Sequence, residues 1–454
     1  MMSNRYNKYY KTPLSWAPEL PDGWQIIPFK RLFSSQKGLP ITKADLVSVG
    51  VPVISYGQIH SKSNNGVSVT DDLLRYVPVS YIDTCPSSIV KKGDFIFADT
   101  SEDLDGCGNC VFVNVDYTLF AGYHSIIARN ESVFSGRYFA YLFQTDEWRS
   151  QIRSLVNGVK LYSITQPILF ESKLIVPSKA EQERIADVLD ERIYNIDSLI
   201  AKRIEERSLL QENRISVISE VITRGLNKNA DFVDSGVEWI GKVPSSWEKR
   251  PIRFCLESNV GGVWGEDCKN TEDDIICVRV ADFDYAKGVI SDKKLTKRYI
   301  VIDDGNERVL TSRDLLLEKS GGGEVSPVGR VVRNTVTEKS VCSNFVQKLS
   351  VKPEFDRDFL YYYFHMMYSK HVNALYYNQT IGIQNLQVAG YLNNPIFLPP
   401  KEEQEVISNY LNTLTEETSN AVARIEEQVS ELKELRNSII SEAVLGKIDL
   451  STSE

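Results

Sequence analysis

VPSKAEQERIADVLD, residues 176–190, and LPPKEEQEVISNYLN, residues 398–412, decide how this chain is read. Both follow P-x-K-x-E-Q-E-x-I-x3-L, and both run on to Ile-Ser-Glu, at 218–220 and 440–442. Beyond Pro177, apolar side chains fall at Ile185, Leu189, Ile193, Ile196, Ile200, Leu210, Val217 and Val221. Beyond Pro400 they fall at Ile407, Leu411, Leu414, Val422, Ile425, Val429, Leu432 and Ile439. Steps of three and four, or their sums, place each set on one stripe of an α-helix. Proline is tolerated where such a helix begins, and Gly225 and Gly446 are the expected C-terminal caps. Each segment is expected to be a helix of roughly 45 residues, about 65 Å long at 1.5 Å per residue.

A narrow apolar stripe of that length needs a partner helix to be stable in water. The other long helix of the same chain is the expected partner, packed antiparallel, with a globular domain at either end of a two-helix rod. A homodimeric coiled coil is the competing arrangement.

Outward from the helices the duplication continues. Trp16, Pro21, Trp24 and Pro28 recur as Trp239, Pro244, Trp247 and Pro251, all at an offset of 223. VPVISYGQIH (51–60) is similar to DDIICVRVADF (273–283), and KKGDFIFADTS (91–101) matches TSRDLLLEKSG (311–321). In the latter pair Asp94 stands opposite Asp314 and Thr100 opposite Ser320. Core tryptophans and turn prolines account for each piece, but only a repeat accounts for their common order.

Strand-like runs lead each half: Ser88–Phe97, Val111–Val115 and Ser125–Ala128, then Ile275–Val280, Leu315–Leu317 and Val328–Arg333. Helical stretches follow at Arg137–Leu155 and Arg357–Ala374. The expected class is mixed α/β (α+β) with a pseudo-two-fold internal repeat. The expected divisions are a domain at 1–178, a helix at 179–226, a domain at 227–400, a helix at 401–446 and a tail at 447–454.

With 454 residues, 42% hydrophobic and 25% charged, the composition is that of a soluble protein of two or three domains. Of the net charge of −9, much sits after residue 400, where 12 acidic side chains face 5 basic ones. The two large blocks are nearly neutral, so charge permits a DNA-binding face without arguing for one. No run approaches the roughly 20 apolar residues of a membrane helix. The opening MMSNRYNKYYKTPLSW lacks a signal peptide's apolar core. A cytoplasmic protein without a membrane partner is expected. Seven cysteines are scattered, and the close pair Cys107 and Cys110 lacks the second pair that zinc would want. Free thiols in a reducing compartment, and no metal, are expected.

Catalytic motifs are found only as fragments. Gly236–Lys242 begins like a phosphate-binding loop, but Val243 stands where Ser or Thr must bind Mg2+. Asn394-Pro395-Ile396-Phe397 is like an amino-methyltransferase loop with Ile as its third residue, and no glycine-rich cofactor loop accompanies it. Glu171-Ser172-Lys173 has no acidic partner before it. The four histidines (60, 124, 365, 371) lack metal-ligand spacing, and no G-x-S-x-G occurs. No catalytic residue is assigned.

Two variable domains, each closed by the P-x-K-x-E-Q-E start of a long helix and each opened by Trp–Pro–Trp, resemble the specificity subunit of type I restriction-modification systems. Pro177–Leu189 and Pro399–Leu411 carry the resemblance, which covers nearly the whole chain. It implies two target recognition domains that bind an asymmetric, bipartite double-stranded DNA sequence. It implies spacer helices that dock two methyltransferase subunits, with motor-nuclease subunits joining that complex in defence against foreign DNA. The chain itself would then be non-catalytic and hold no cofactor. S-adenosylmethionine, used for adenine methylation, and ATP with Mg2+, used for cleavage, belong to the partners. A coiled-coil scaffold that binds proteins and no DNA is the alternative, and a self-sufficient methyltransferase a third.

Residue chemistry and loop position nominate the DNA contacts. In the first half these are Tyr56, Gln58, Thr100, Ser101, Tyr123, His124, Lys160 and Tyr162. In the second they are Arg279, Asp282, Lys319, Ser320, Gly322, Asn344, Gln379, Gln384 and Asn385. Gln58 suits adenine, Asp282 suits cytosine, and Arg279 suits guanine or a phosphate. Gly321–Gly323 either lets the backbone approach a phosphate or forms a flexible hairpin. The matched loop, Thr100–Gly106, is acidic.

Overall fold

The computed structural model describes residues 5–158, 160–291, 293–380 and 382–450. The chain divides into two compact units. One comprises Met1–Lys202 with Val429–Glu454, and the other Arg203–Gln428. The fold class is mixed α/β with a duplicated design. The two long helices, Lys179–Arg224 and Lys401–Val444, each begin in one unit and finish in the other. They stop two residues before the expected limits of 226 and 446. The reason is local: Gly225 (φ 69°) and Gly446 (φ 66°) turn left-handed and cap each helix.

The helices pair antiparallel within the chain. In the first unit Ile185, Leu189, Ile193 and Ile196 share a core with Ile440, Ala443 and Val444. Arg436 Nε donates to Asp197 Oδ1 at 3.0 Å there. In the second unit Ile218 and Ile222 share a core with Ile407 and Leu411, and Arg207 reaches Glu426 at 3.4 Å. Of the apolar stripes read from the sequence, Ile185, Leu189, Ile193, Ile196 and Val221 are buried on the first helix and Ile407, Leu411 and Ile425 on the second, and the other stripe positions are half-buried.

In the first unit an antiparallel sheet runs in the order Cys110–Phe112, Phe95–Ala98, Ser125–Asn130, Phe33–Lys37. Beside it, Val51–Ile54 lies parallel to Leu119–Ala121. The second unit repeats the plan. Asp314–Glu318 lies between Val331–Arg333 and Val346–Val351, and Asp274–Val278 runs parallel to Ser340–Cys342. The expected run Ser88–Phe97 is instead two strands, Ile89–Val90 and Phe95–Ala98. Gly93 (φ 99°) turns the chain between them. Asp94 Oδ2 closes that turn by accepting from Lys91 N at 2.9 Å, as Asp314 Oδ2 accepts from Thr311 N at 2.6 Å. The repeated aspartates therefore fix a turn. The helical stretch at 137–155 is also two pieces, Gly136–Leu142 and Asp146–Arg153. Thr145 interrupts it by capping the second, accepting from Trp148 N at 3.2 Å.

The shared Gln of the helix-start motif has one role in both units. Gln182, fully buried, donates Nε2 to Pro177 O at 2.8 Å and accepts from Ser135 N at 3.0 Å. Gln404 donates to Pro399 O at 2.8 Å and accepts from Asp356 N at 3.0 Å. Ser135 and Asp356 are the N-caps of Gly136–Leu142 and Arg357–Ser369. One amide thus staples each long helix to the shorter helix beside it. Trp24 and Trp247, also repeated, are buried against the glycines that end the helices. An added Cβ on Gly446 would lie 3.1 Å from Trp24, and one on Gly225 would lie 3.2 Å from Trp247.

Candidate nucleic-acid interface

In each unit the nominated residues gather where the same four chain segments meet. The first segment follows a central strand and forms a short capped turn. Ser55 precedes Tyr56–Ile59, and Gln58 Oε1 accepts from Ser55 N at 3.3 Å. Arg279 precedes Val280–Asp282, and Asp282 Oδ2 accepts from Arg279 N at 2.8 Å. The second segment is the end of the strand opened by Asp94 or Asp314, reaching Thr100–Ser101 and Ser320–Gly321. The third is the connection holding Tyr123–His124 or Ser343–Phe345. The fourth pairs with the second: Tyr162 with Ser101, and Asn385 with Ser320.

Hydrogen bonds and ring contacts tie these segments together. In the first unit Tyr56 N donates to Tyr123 O at 3.2 Å, and Asp99 N donates to His124 O at 3.2 Å. The Tyr56 ring meets His60 edge-on at 5.0 Å and His124 at 6.2 Å. Its hydroxyl donates to Glu102 at 3.0 Å. Partial burial, with Glu102 beside it, pushes that hydroxyl above its ordinary pKa, so it stays a donor. His124 holds a left-handed backbone (φ 51°), and its exposed ring lies 3.2 Å from Asp99. In the second unit Ser343 N donates to Val278 O at 2.8 Å, and Lys319 N donates to Phe345 O at 3.0 Å. Ser320 Oγ donates to Asn385 Oδ1 at 2.7 Å.

Several nominated residues prove to be supports. The Asp282 carboxylate is buried and occupied by Arg279 N, Nε at 3.2 Å and NH2 at 2.8 Å. Buried at 4% exposure and bonded through both oxygens, it offers a cytosine no accessible edge, and the expectation is corrected: Asp282 aims Arg279. Its hydrogen bond raises the guanidinium pKa further, so the charge is permanent. Ser101 is buried and donates to Asp103 O at 2.7 Å, which shapes the acidic loop. Gln384 is buried, and its Oε1 accepts from Val328 N at 3.1 Å. Gly322 (φ 62°) lacks a side chain because a Cβ would press on Val328 N at 2.8 Å and Gln384 Oε1 at 2.9 Å. The triple-glycine segment is thus a pinned turn, closed by Gly323 N to Ser326 O at 3.0 Å.

Lys160, His124, Asn344 and Asn385 are exposed, whereas Tyr56, Gln58, Thr100, Tyr123, Tyr162, Lys319 and Ser320 are half-buried. Gln379 pairs with Gln384 through its backbone, and its side chain lies outside the described residues. The sequence reading missed His60, whose Nε2 donates to Thr100 O at 2.8 Å while Nδ1 accepts from Asn109 at 3.1 Å. It also missed Glu102 and Asp99. A solitary histidine among polar loops carries no pattern that could have flagged it.

The motif fragments are absorbed by the fold. Gly236 and Gly241 lie in the loop joining strands Phe232–Asp234 and Lys242–Pro244. Asn394 is buried, donating to Tyr391 O at 2.8 Å and accepting from Tyr376 OH at 3.2 Å. All seven cysteines are free, and burial pushes the Cys110 thiol up to about 12. Among the described residues no group of three His, Cys, Asp or Glu could hold a metal ion, and no helix is long and apolar enough to cross a membrane.

Comparison with known proteins matches this duplication. The family model described as type I restriction modification DNA specificity domain matches twice, at residues 21–206 and 244–431. The chain is 21% identical over 451 residues to the type I restriction enzyme StySPI specificity subunit of Salmonella potsdam, covering 95% of this chain and 90% of that protein. A solved chain from a study of assembly and conformational transition of the type I R-M system superposes with a TM-score of 0.68 at 17% identity, covering 94% and 98%. The HsdS subunit of Thermoanaerobacter tengcongensis superposes at 0.51 with 18% identity, again covering 94% and 98%.

Proposed function

Because the chain belongs to the type I restriction-modification DNA specificity family, whose model matches most of its length, we propose that each unit reads one word of a split double-stranded DNA target. Such subunits give a restriction-modification complex its DNA sequence specificity. The finer proposal is that the two words differ and are separated by bases no side chain reads.

One observation carries this reading. The same four segments build a rim in both units, yet the side chains on those rims differ. Tyr56, Tyr123, His124 and Tyr162 stand in the first, and Arg279, Asn344, Lys319 and Asn385 in the second. One scaffold with two chemistries suits two different sequences. Arg279, aimed by Asp282, is the residue we assign to a guanine edge or a phosphate. The long helices are proposed to dock two methyltransferase subunits, joined by motor-nuclease subunits. Adenine methylation with S-adenosylmethionine and cleavage with ATP and Mg2+ are proposed to be their chemistry, performed where this chain directs them.

Methylation mapping of cells with and without the gene tests the proposal. Loss of a single gapped motif is expected, and an unchanged map refutes it. A shift assay with the chain and its methyltransferase partner across a salt series separates DNA reading from a protein scaffold, because phosphate contacts make affinity fall steeply with salt. Inserting four residues after Ile200 adds about 6 Å of helix and turns the downstream stripe by about 40°. An active complex carrying it should prefer a longer gap.

A further inference from the structure

Each rim carries aliphatic side chains that the described residues leave at least two-fifths exposed. Strand pairing fixes which positions correspond. Ser163 pairs with Thr100 and Tyr162 with Ser101, as Asn385 pairs with Ser320 and Gln384 with Gly321. Leu161 and Ile383, each one residue earlier, therefore occupy the same place in the two units. They are 55% and 45% exposed. The loop on the other side of the same ladder brings a second aliphatic residue in each unit, Leu104 at 40% and Val325 at 97% exposed.

These loops are held, not loose. Gly106 N donates to Asp103 Oδ1 at 2.6 Å, and Arg153 NH2 donates to Asp105 O at 3.1 Å. In the second unit Asn373 Nδ2 donates to Val328 O at 2.7 Å, and Tyr368 OH donates to Pro327 O at 3.1 Å. An aliphatic side chain fixed in water on a pinned loop is preorganised for an apolar contact. We propose that Leu161 with Leu104, and Ile383 with Val325, press on thymine 5-methyl groups in the two half-targets. This rests on the reading of the rims as DNA interfaces.

The neighbours decide between DNA and a protein partner. Around the shared aliphatic positions the adjoining residues change: Lys160 for Gly382, Tyr162 for Gln384, Ser163 for Asn385. Two identical partner subunits would need the same surroundings in both units. Two different DNA words need only the methyl contact in common, because thymine's methyl is the apolar group of the major groove.

The test uses the complex with its methyltransferase partner and a duplex carrying the mapped motif. Ile383→Ser and Val325→Ser should each weaken binding about five- to tenfold, equivalent to about 1.0–1.4 kcal/mol. Binding to unrelated duplex and the salt slope should not change. Replacing thymine by uracil in the half-target should weaken the unaltered complex similarly and add little in Ile383→Ser. Leu161→Ser should act on the other half-target only. Val233→Ser, exposed on the separate strand pair Phe232–Asp234 with Lys242–Pro244, is the control. Equal weakening on unrelated DNA, loss of partner assembly, or no response to uracil each overturns the proposal. If the unaltered complex fails to prefer its motif, the underlying DNA reading falls first.

Discussion

Gln404→Leu tests the staple between the long helix and the recognition half. The substitution keeps roughly the side-chain size but leaves Asp356 N and Pro399 O, partnered at 3.0 and 2.8 Å, without a bond. Each stranded buried backbone group costs about 1–3 kcal/mol, so the pair costs about 2–6. Burying an aliphatic side chain returns about 2 kcal/mol. A net loss centred near about 2 kcal/mol, and at most about 4, is expected in the unit spanning Arg203–Gln428. Denaturant unfolding measures the loss, and hydrogen exchange at the Asp356 amide locates it. Glu402→Leu, exposed and two residues away, should stay within about 0.5 kcal/mol. Gln182→Leu should repeat the loss in the other unit. If Gln404→Leu loses no more than Glu402→Leu, and the Asp356 amide exchanges no faster, the staple argument is wrong.

Gly446→Ala should destabilise by about 1–3 kcal/mol in thermal unfolding, since φ is +66° and a Cβ would meet Pro21 Cγ at 2.5 Å. Gly23→Ala, at φ +87° with open space around it, should lose only the smaller backbone share. His365 is held neutral by burial and then by Arg214, with its pKa lowered to about 4. Its unfolded form takes a proton below about pH 6.5 while the folded form does not, so stability falls as pH drops from 6.5 toward 4, by up to about 3 kcal/mol. His365→Gln should flatten that slope in acid-unfolding curves. Asp282→Asn, which loosens Arg279 without deleting it, should reduce discrimination at one base pair by about 1 kcal/mol or more, read by competition binding. Unchanged discrimination would show that the pair is only a cap.

The duplication was legible because its markers are structural. Gln182 and Gln404, Trp24 and Trp247, Asp94 and Asp314 each close the same buried contact twice, so they cannot drift apart. Helix period exposed the two long helices, and glycine placed their ends to within two residues. The rims were legible only as addresses. Their strand ends matched across the halves, which located Thr100, Ser320, Gln58 and Asp282. Which of these point outward depends on local bonding that no spacing encodes. Asp282, Ser101 and Gln384 are polar residues at the right address whose hydrogen bonds are spent inside. Leu161 and Ile383 were passed over because an isolated aliphatic residue reads as core until pairing places it at an edge.

The division of the chain has a consequence for synthesis. The unit formed by Arg203–Gln428 is continuous, whereas the other needs residues 429 onward to complete its core beside Ile185 and Leu189. At about 5–20 residues per second, roughly 11 to 45 s separate the emergence of Lys202 from that of Val429. Throughout that interval the earlier half has an open apolar seam where Ile440, Ala443 and Val444 will sit, while the later half closes behind it. The first part made is therefore the last part finished, and it is the part that ribosome stalling or proteolysis would catch incomplete.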